Sequence, residues 1–212
     1  MKIPSTLKKK RNIKLSRDYL IKFELKIKSL YEEAKIKGPI HLSNNNEEIL
    51  IELFQYIGKK DFVFSNWRNH LHALLHGVSE KSLINQILDG KSMGVNSKSP
   101  FFMSSSIVGG TIPIALGTAL SIKQRKTNNL VWCFLGDMTS HTGVFFECLK
   151  YSEFNNLPIM FVIEDNSKST NTPTKKVWGK TVDQRILRSK KVIYYSYKLS
   201  YPHHGTGKWV LF

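Results

Sequence analysis

With 212 residues, 41% hydrophobic and 23% charged, the chain has ordinary globular usage and suits one α/β domain, read as residues 18–212 behind a basic tail of residues 1–17. Its formal net charge of +16 raises the question of a nucleic-acid partner. The lysines are spread along the whole chain among Asn, Ile and Ser, and only KKKRNIK near the N-terminus is concentrated, so that run reads first as a solvated tail and second as an anion-binding arm. No apolar run approaches the roughly 18 residues of a membrane span, and no apolar stretch follows the basic start, so no membrane partner is expected. Cys133 and Cys148 fit neither a metal spacing nor a disulfide framework. They read as buried reduced thiols, in keeping with a cytoplasmic setting.

From Asp18 to Lys37 the apolar positions Leu20, Phe23, Ile27, Leu30 and Ala34 recur at threes and fours, predicting an amphipathic helix stopped at Gly38-Pro39. HLSNNNEEILIELFQYIGKKDFVFS then predicts a second helix and a short strand, with Asn44 and Glu47 spaced as a capping pair. His41, alone after a proline-containing turn, reads as structural. WRNHLHALLHG, residues 67–77, holds His70, His72 and His76, but their spacing matches no common ligand pair and no Cys or acidic residue stands beside them. SEKSLINQILDG predicts a short helix and is followed by a Gly/Ser/Asn-rich loop up to Phe102. SSSIVGGTIPIALGTALSIKQRK opens another helix, whose small residues Gly109, Gly110, Ala115, Gly117 and Ala119 permit close packing on a sheet.

LVWCFL is an apolar run of the kind a buried parallel strand shows, and Gly136 ends it with a residue that permits a tight turn. Asp137 is therefore placed at a carboxyl edge. Phe145, Phe146, Leu149 and Phe154 continue at helical spacing, Leu157-Pro158 ends that helix, and PIMFVIE begins the next strand. Such a crossover is right-handed and returns the second strand parallel to the first. Asp137 and Asn166, 166 − 137 = 29 positions apart, then lie side by side where open α/β sheets bind ligands, with a helix N-terminus aimed into the same crevice. One oxygen from Asp137, one from Asn166 and a backbone carbonyl near Lys168 would give a hard cation such as Mg²⁺ three protein ligands, the rest coming from phosphate and water. Taken as a bare pair, the Asp and Asn fit an ordinary βαβ unit with polar loops equally well. VIYYSYKL predicts a further strand. YPHHGTGKWVLF, with His203 and His204, reads as a terminal loop before a last short strand.

At Asp137 and Asn166 the sequence resembles the thiamine diphosphate motif, an acidic GDG followed one crossover later by NN. WRNHLHALLHG and SSSIVGGTIPIALGTALSIKQRK also resemble, in the same order, segments of the alpha subunit of the decarboxylating component of 2-oxo acid dehydrogenases (pyruvate, branched-chain and acetoin types). The likeness covers roughly residues 18 to 180. It implies a parallel sheet with helices on both faces, thiamine diphosphate and Mg²⁺ as cofactors, and Asp137, Asn166 and the Lys168 carbonyl as metal ligands. It implies cofactor contacts from Trp67, Arg68, Gly136, Asp137, Met138, Thr139 and Asn166, with Ser106, Ile107 and Val108 cradling the aminopyrimidine. His70 and His41 carry over as catalytic histidines. Expected partners are a beta subunit whose pyrimidine-binding domain supplies the activating glutamate, a lipoyl-bearing acyltransferase and a 2-oxo acid substrate.

Three positions depart from the pattern: Met138 stands for Gly, Asp165 for the first Asn and Trp67 for Tyr. Family subunits continue past the point where this sequence stops, so a compact variant or a partial chain is expected. Two other readings stand beside this one. A transketolase-like carboligase subunit uses the same fold, and a non-catalytic, basic nucleic-acid-binding α/β protein would keep only its shape.

Overall fold

The computed structural model describes residues 1–211. Six strands form the central sheet in the order β2-β3-β1-β4-β5-β8. They are β1 (Phe62–Ser65), β2 (Asn96–Lys98), β3 (Phe101–Ser104), β4 (Val131–Gly136), β5 (Ile159–Asp165) and β8 (Val192–Ser196). All adjacent pairs run parallel except β2 with β3. Strands β4 and β5 are buried along nearly their whole length, which is why they read as continuous apolar runs: helices cover both faces. A separate two-stranded hairpin, β6 (Lys168–Ser169) with β7 (Thr172–Pro173), follows β5.

Alternate strand residues face two cores. On one side Val63, Trp132, Phe134, Val162 and Ile193 pack with α1 (Arg17–Glu32), α2 (Glu47–Phe54), α3 (His70–His76) and α4 (Glu80–Gln86). On the other, Phe64, Cys133, Leu135, Phe161 and Ile163 pack with α5 (Thr111–Gln124) and α6 (Gly143–Phe154). The doubly covered parallel sheet is the fold class expected. Both cysteines are free and buried, and among the described residues no helix is long and apolar enough to cross a membrane.

Four local expectations change. Helix α1 ends at Glu32, before Gly38-Pro39, because Ala34 turns left-handed at φ 56° and Lys35 N–H closes on Leu30 O at 2.9 Å. The N-cap of α2 is Asn46, while Asn44 instead accepts the Ser200 N–H at 3.1 Å. Part of the supposed loop before Phe102 forms the β2–β3 edge. The basic opening segment is solvated only in part: Lys8, Lys9 and Lys14 are exposed, but Lys10 pairs with buried Asp61 at 2.8 Å, and Arg11 donates to Leu75 O at 2.7 Å and Phe54 O at 3.2 Å. Those carbonyls sit at the ends of α3 and α2, where helices leave acceptors unpaired and favour a cation.

Candidate functional site

The carboxyl ends of β1, β4, β5 and β8 open onto one cleft of about 430 Å³. The turn after β1 brings Trp67 and Arg68, the turn after β4 brings Gly136 to Thr139, and the turn after β5 brings Asn166 and Lys168. Pairing of Gly136 with Glu164 sets the β4 and β5 tips level. The βαβ crossover thus brings Asp137 and Asn166 to one edge, as their spacing predicts.

Asp137 is 1% exposed, and its Oδ2 has no hydrogen-bond partner. Burial, reinforced by the charge of Asp165 and only partly offset by the Thr174 hydroxyl and nearby backbone N–H groups, pushes its carboxyl up to about 7. A buried carboxylate oxygen left without a donor is costly unless a ligand completes it. Arg68 is the counterpart of opposite sign. It is 7% exposed, its Nη2 lies 3.5 Å from His203 O, and its Nη1 has no partner. An orphaned anion and an orphaned guanidinium nitrogen on one cleft suit a cation and an anion bound together, as a metal-diphosphate would be.

Beyond β5, Asn166 Oδ1 accepts the Lys168 N–H at 3.0 Å, and Ser167, at φ 64°, donates its N–H to Asp165 Oδ1 at 2.7 Å. The helix expected directly after Asp137 is preceded by a 3-10 turn, Met138–His141, so α6 starts at Gly143 and the N–H groups nearest the carboxylate belong to that turn. Met138 is half-buried on the cleft wall.

The remaining candidates separate. Ile107 and Val108 border a small hollow shared with Asn66, Trp67 and Thr139, alongside the main cleft, and both are largely exposed. Ser106 is exposed and lines neither space. His41 is buried against Trp67 and His203, with ring centroids 6.1 and 4.8 Å away, and its Nδ1 has no partner. Burial first, then Arg68 and His203, hold it down to about 3. His70 is not brought to the cleft. Its Nδ1 lies 3.2 Å from Glu24 Oε1 and its Nε2 2.9 Å from Ser92 Oγ, all within the core. A carried-over catalytic role has no geometric support there, because both ring nitrogens are already taken.

Three cleft residues are additional to the sequence candidates for the site, His203 among them standing in what reads as a terminal loop. Glu164 is fixed by His72 Nε2 at 3.1 Å, by Asn66 Nδ2 at 3.3 Å and by the Tyr195 hydroxyl. Tyr197 and His203 reach the wall from the segment after β8; that segment returns over the 40s loop, where Gly205 N–H meets Ile40 O at 2.8 Å. The loop carries no strand up to Leu211, and Phe212, the end of the expected closing strand, lies outside the described residues. The only available signal for His203 was the HHG run itself.

Residues 16–183 match the family model described as Dehydrogenase E1 component. This chain belongs to the dehydrogenase E1 component family. Among similar proteins, the pyruvate dehydrogenase E1 component subunit alpha-3 of Arabidopsis thaliana chloroplasts is 30% identical over 196 residues, 81% of this chain and 46% of that protein. The E1 component subunit alpha of Porphyra purpurea is 32% identical, over 68% and 47%. The alpha subunit of acetoin:2,6-dichlorophenolindophenol oxidoreductase of Bacillus subtilis is 29% identical, over 71% and 48%. The chain therefore spans about half the length of these relatives. Within the E1 match lie Trp67, Arg68, Asp137 and Asn166; Tyr197 and His203 fall beyond it. The E1-like part of the cleft is thus closed by a wall outside the matched region.

Proposed function

We propose that this E1-family chain binds thiamine diphosphate with Mg²⁺ and serves as the diphosphate-holding subunit of an enzyme that decarboxylates a 2-oxo acid. The observation that carries this reading is the pair of orphaned buried atoms, Asp137 Oδ2 and Arg68 Nη1, on the wall of one cleft. Asp137, Asn166 and the Lys168 carbonyl would hold the metal, and Arg68 the diphosphate. Trp67, Gly136, Met138 and Thr139 would bound that group, with Ile107 and Val108 toward the aminopyrimidine. When bound, the cofactor supplies the carbanion stabilisation that decarboxylation requires. The chain itself orients the cofactor and neutralises its charge. His203, on the cleft wall, and His41, buried against it, are the groups assigned to the substrate side.

Glu164 is not assigned the activating role, because both its oxygens are engaged by His72, Tyr195 and Asn66. That carboxylate is assigned to a beta partner with a pyrimidine-binding domain, and the acceptor to a lipoyl-bearing acyltransferase. The names of the relatives, pyruvate dehydrogenase and acetoin oxidoreductase alpha subunits, support a small 2-oxo acid or related substrate.

Calorimetric titration with thiamine diphosphate and Mg²⁺ tests the site. D137A should lose at least about a hundredfold in affinity, because removing even an outer partner of a metal ligand costs up to about that much. Its fold should be retained, since the strand-end carboxylate keeps Oδ2 without an internal partner; circular dichroism on the same sample checks that. Unchanged affinity in D137A would overturn the assignment.

A further inference from the structure

The turn that carries Asn166 and Lys168 hangs from the residue before it. Ser167 adopts the left-handed conformation at φ 64°, which is costly for a residue with a Cβ and persists only where its surroundings enforce it. Asp165 enforces it from two sides. Its Oδ1 accepts the Ser167 N–H at 2.7 Å, and its backbone carbonyl accepts the Tyr197 N–H at 2.9 Å.

The other carboxylate oxygen, Oδ2, accepts the Tyr194 hydroxyl at 2.6 Å. Tyr194 comes from β8, which runs parallel to β5 with Ile163 opposite Tyr194 and Asp165 opposite Ser196. Burial, then the bond to Asp165, pushes this phenol up to about 12, so it stays a donor. Asp165 is 2% exposed and lines no part of the cleft. Both of its oxygens are spent inside the protein. It is therefore placed to hold the turn and not to touch a ligand.

We propose that Asp165 and Tyr194 form a positioning pair: the phenol clamps the carboxylate, and the carboxylate fixes the Asn166–Lys168 turn opposite Asp137. This rests on the reading of that edge as a metal-diphosphate site. Metal choice gives the pair a signature that loss of stability alone would not produce. Mg²⁺ demands near-ideal octahedral geometry, whereas Ca²⁺ accepts irregular shells of variable size. A loosened turn should therefore penalise Mg²⁺ selectively, while a merely less stable chain would lose both alike.

The test is calorimetric titration of the full chain with thiamine diphosphate in Mg²⁺ or in Ca²⁺, on wild type, Y194F and D165N. Y194F should lose about tenfold in Mg²⁺-supported affinity, as removal of outer partners of metal ligands does. In Ca²⁺ its loss should be about twofold or less. D165N should keep the wild-type ratio of the two affinities, because an amide oxygen still accepts the Ser167 N–H and the amide nitrogen donates to a phenol oxygen turned to accept. Equal loss in both metals, no loss in Y194F, or a D165N ratio that falls with that of Y194F overturns the positioning pair while leaving the cofactor reading intact. A wild type that binds in neither metal overturns that reading, and the pair with it.

Discussion

Two neighbouring groups of polar residues lie within one chain, and they are finished differently. At the foot of α3, His70 is bonded to Glu24 and Ser92, and His72 to Ser65 at 2.8 Å and Glu164 at 3.1 Å, so each ring nitrogen has a partner. At the tips of β1 and β4, Arg68 and Asp137 are as deeply buried yet each keeps an atom without one. Buried polar groups are nearly always satisfied, so a closed network is explained by folding alone, while an open one on a cleft wall calls for a ligand. Residue type does not separate the groups. An open valence on the cleft does, for His76, with neither ring nitrogen bonded, is buried away from the cleft.

The comparison is most sharply tested by removing a residue from the closed side. H70A leaves Glu24 and Ser92 without their shared partner inside the core and should cost about 3 kcal/mol of stability, the scale for breaking a buried charged or hydrogen-bonded pair. Its thiamine diphosphate affinity, measured in protein that remains folded, should match wild type. Denaturant unfolding and calorimetry on the same sample check both halves; a fall in affinity with stability intact would return His70 to the site. R68K should do the reverse. Lysine keeps the charge but not the planar fork, so diphosphate affinity should drop about tenfold, the scale of a lost charge-assisted contact, while the melting temperature moves little. Equal binding by R68K would make the orphaned nitrogen a packing accident.

How far this division was legible beforehand depended on what carried it. The β4–α6–β5 crossover was readable because LVWCFL and PIMFVIE are uninterrupted apolar runs, and topology then fixed where Asp137 and Asn166 must meet. The edge strand β2 was not readable, since its three residues, Asn96–Lys98, are polar and half-exposed or exposed. Within HLHALLH every residue is buried, so the pattern held no face by which to tell a core histidine from one at the cleft. Arg11 looked like part of a solvated run because its acceptors, Leu75 O and Phe54 O, are far away in sequence. His203 meets His41 across 203 − 41 = 162 positions through a loop with no regular element, and no local periodicity encodes that contact.

His41 sits on the boundary between the two groups, buried like His70 but with Nδ1 unpartnered like the cleft residues, so its titration gives the finest test. Burial, then the positive charge of Arg68 and the neighbouring His203, lower it from 6.5 to about 3. The unfolded chain therefore takes up a proton near pH 6.5 that the folded chain refuses until near 3. Its contribution to stability is complete above 6.5 and is lost as pH falls from there toward 3. His76, lowered to about 4 mainly by burial, adds a loss of the same sign. Asp137, raised to about 7, works in the opposite sense over the same range, so the test is the difference between variants: H41Q should show a shallower fall, or a steeper rise, of melting temperature between pH 7 and pH 4 than wild type, leaving the parts due to His76 and Asp137. Identical slopes would mean that His41 is not held neutral. An anion seated on Arg68 offsets the second cause of the shift but not the first, so saturating inorganic pyrophosphate with Mg²⁺ should move the His41 titration upward, as followed by the NMR shift of its ring carbons.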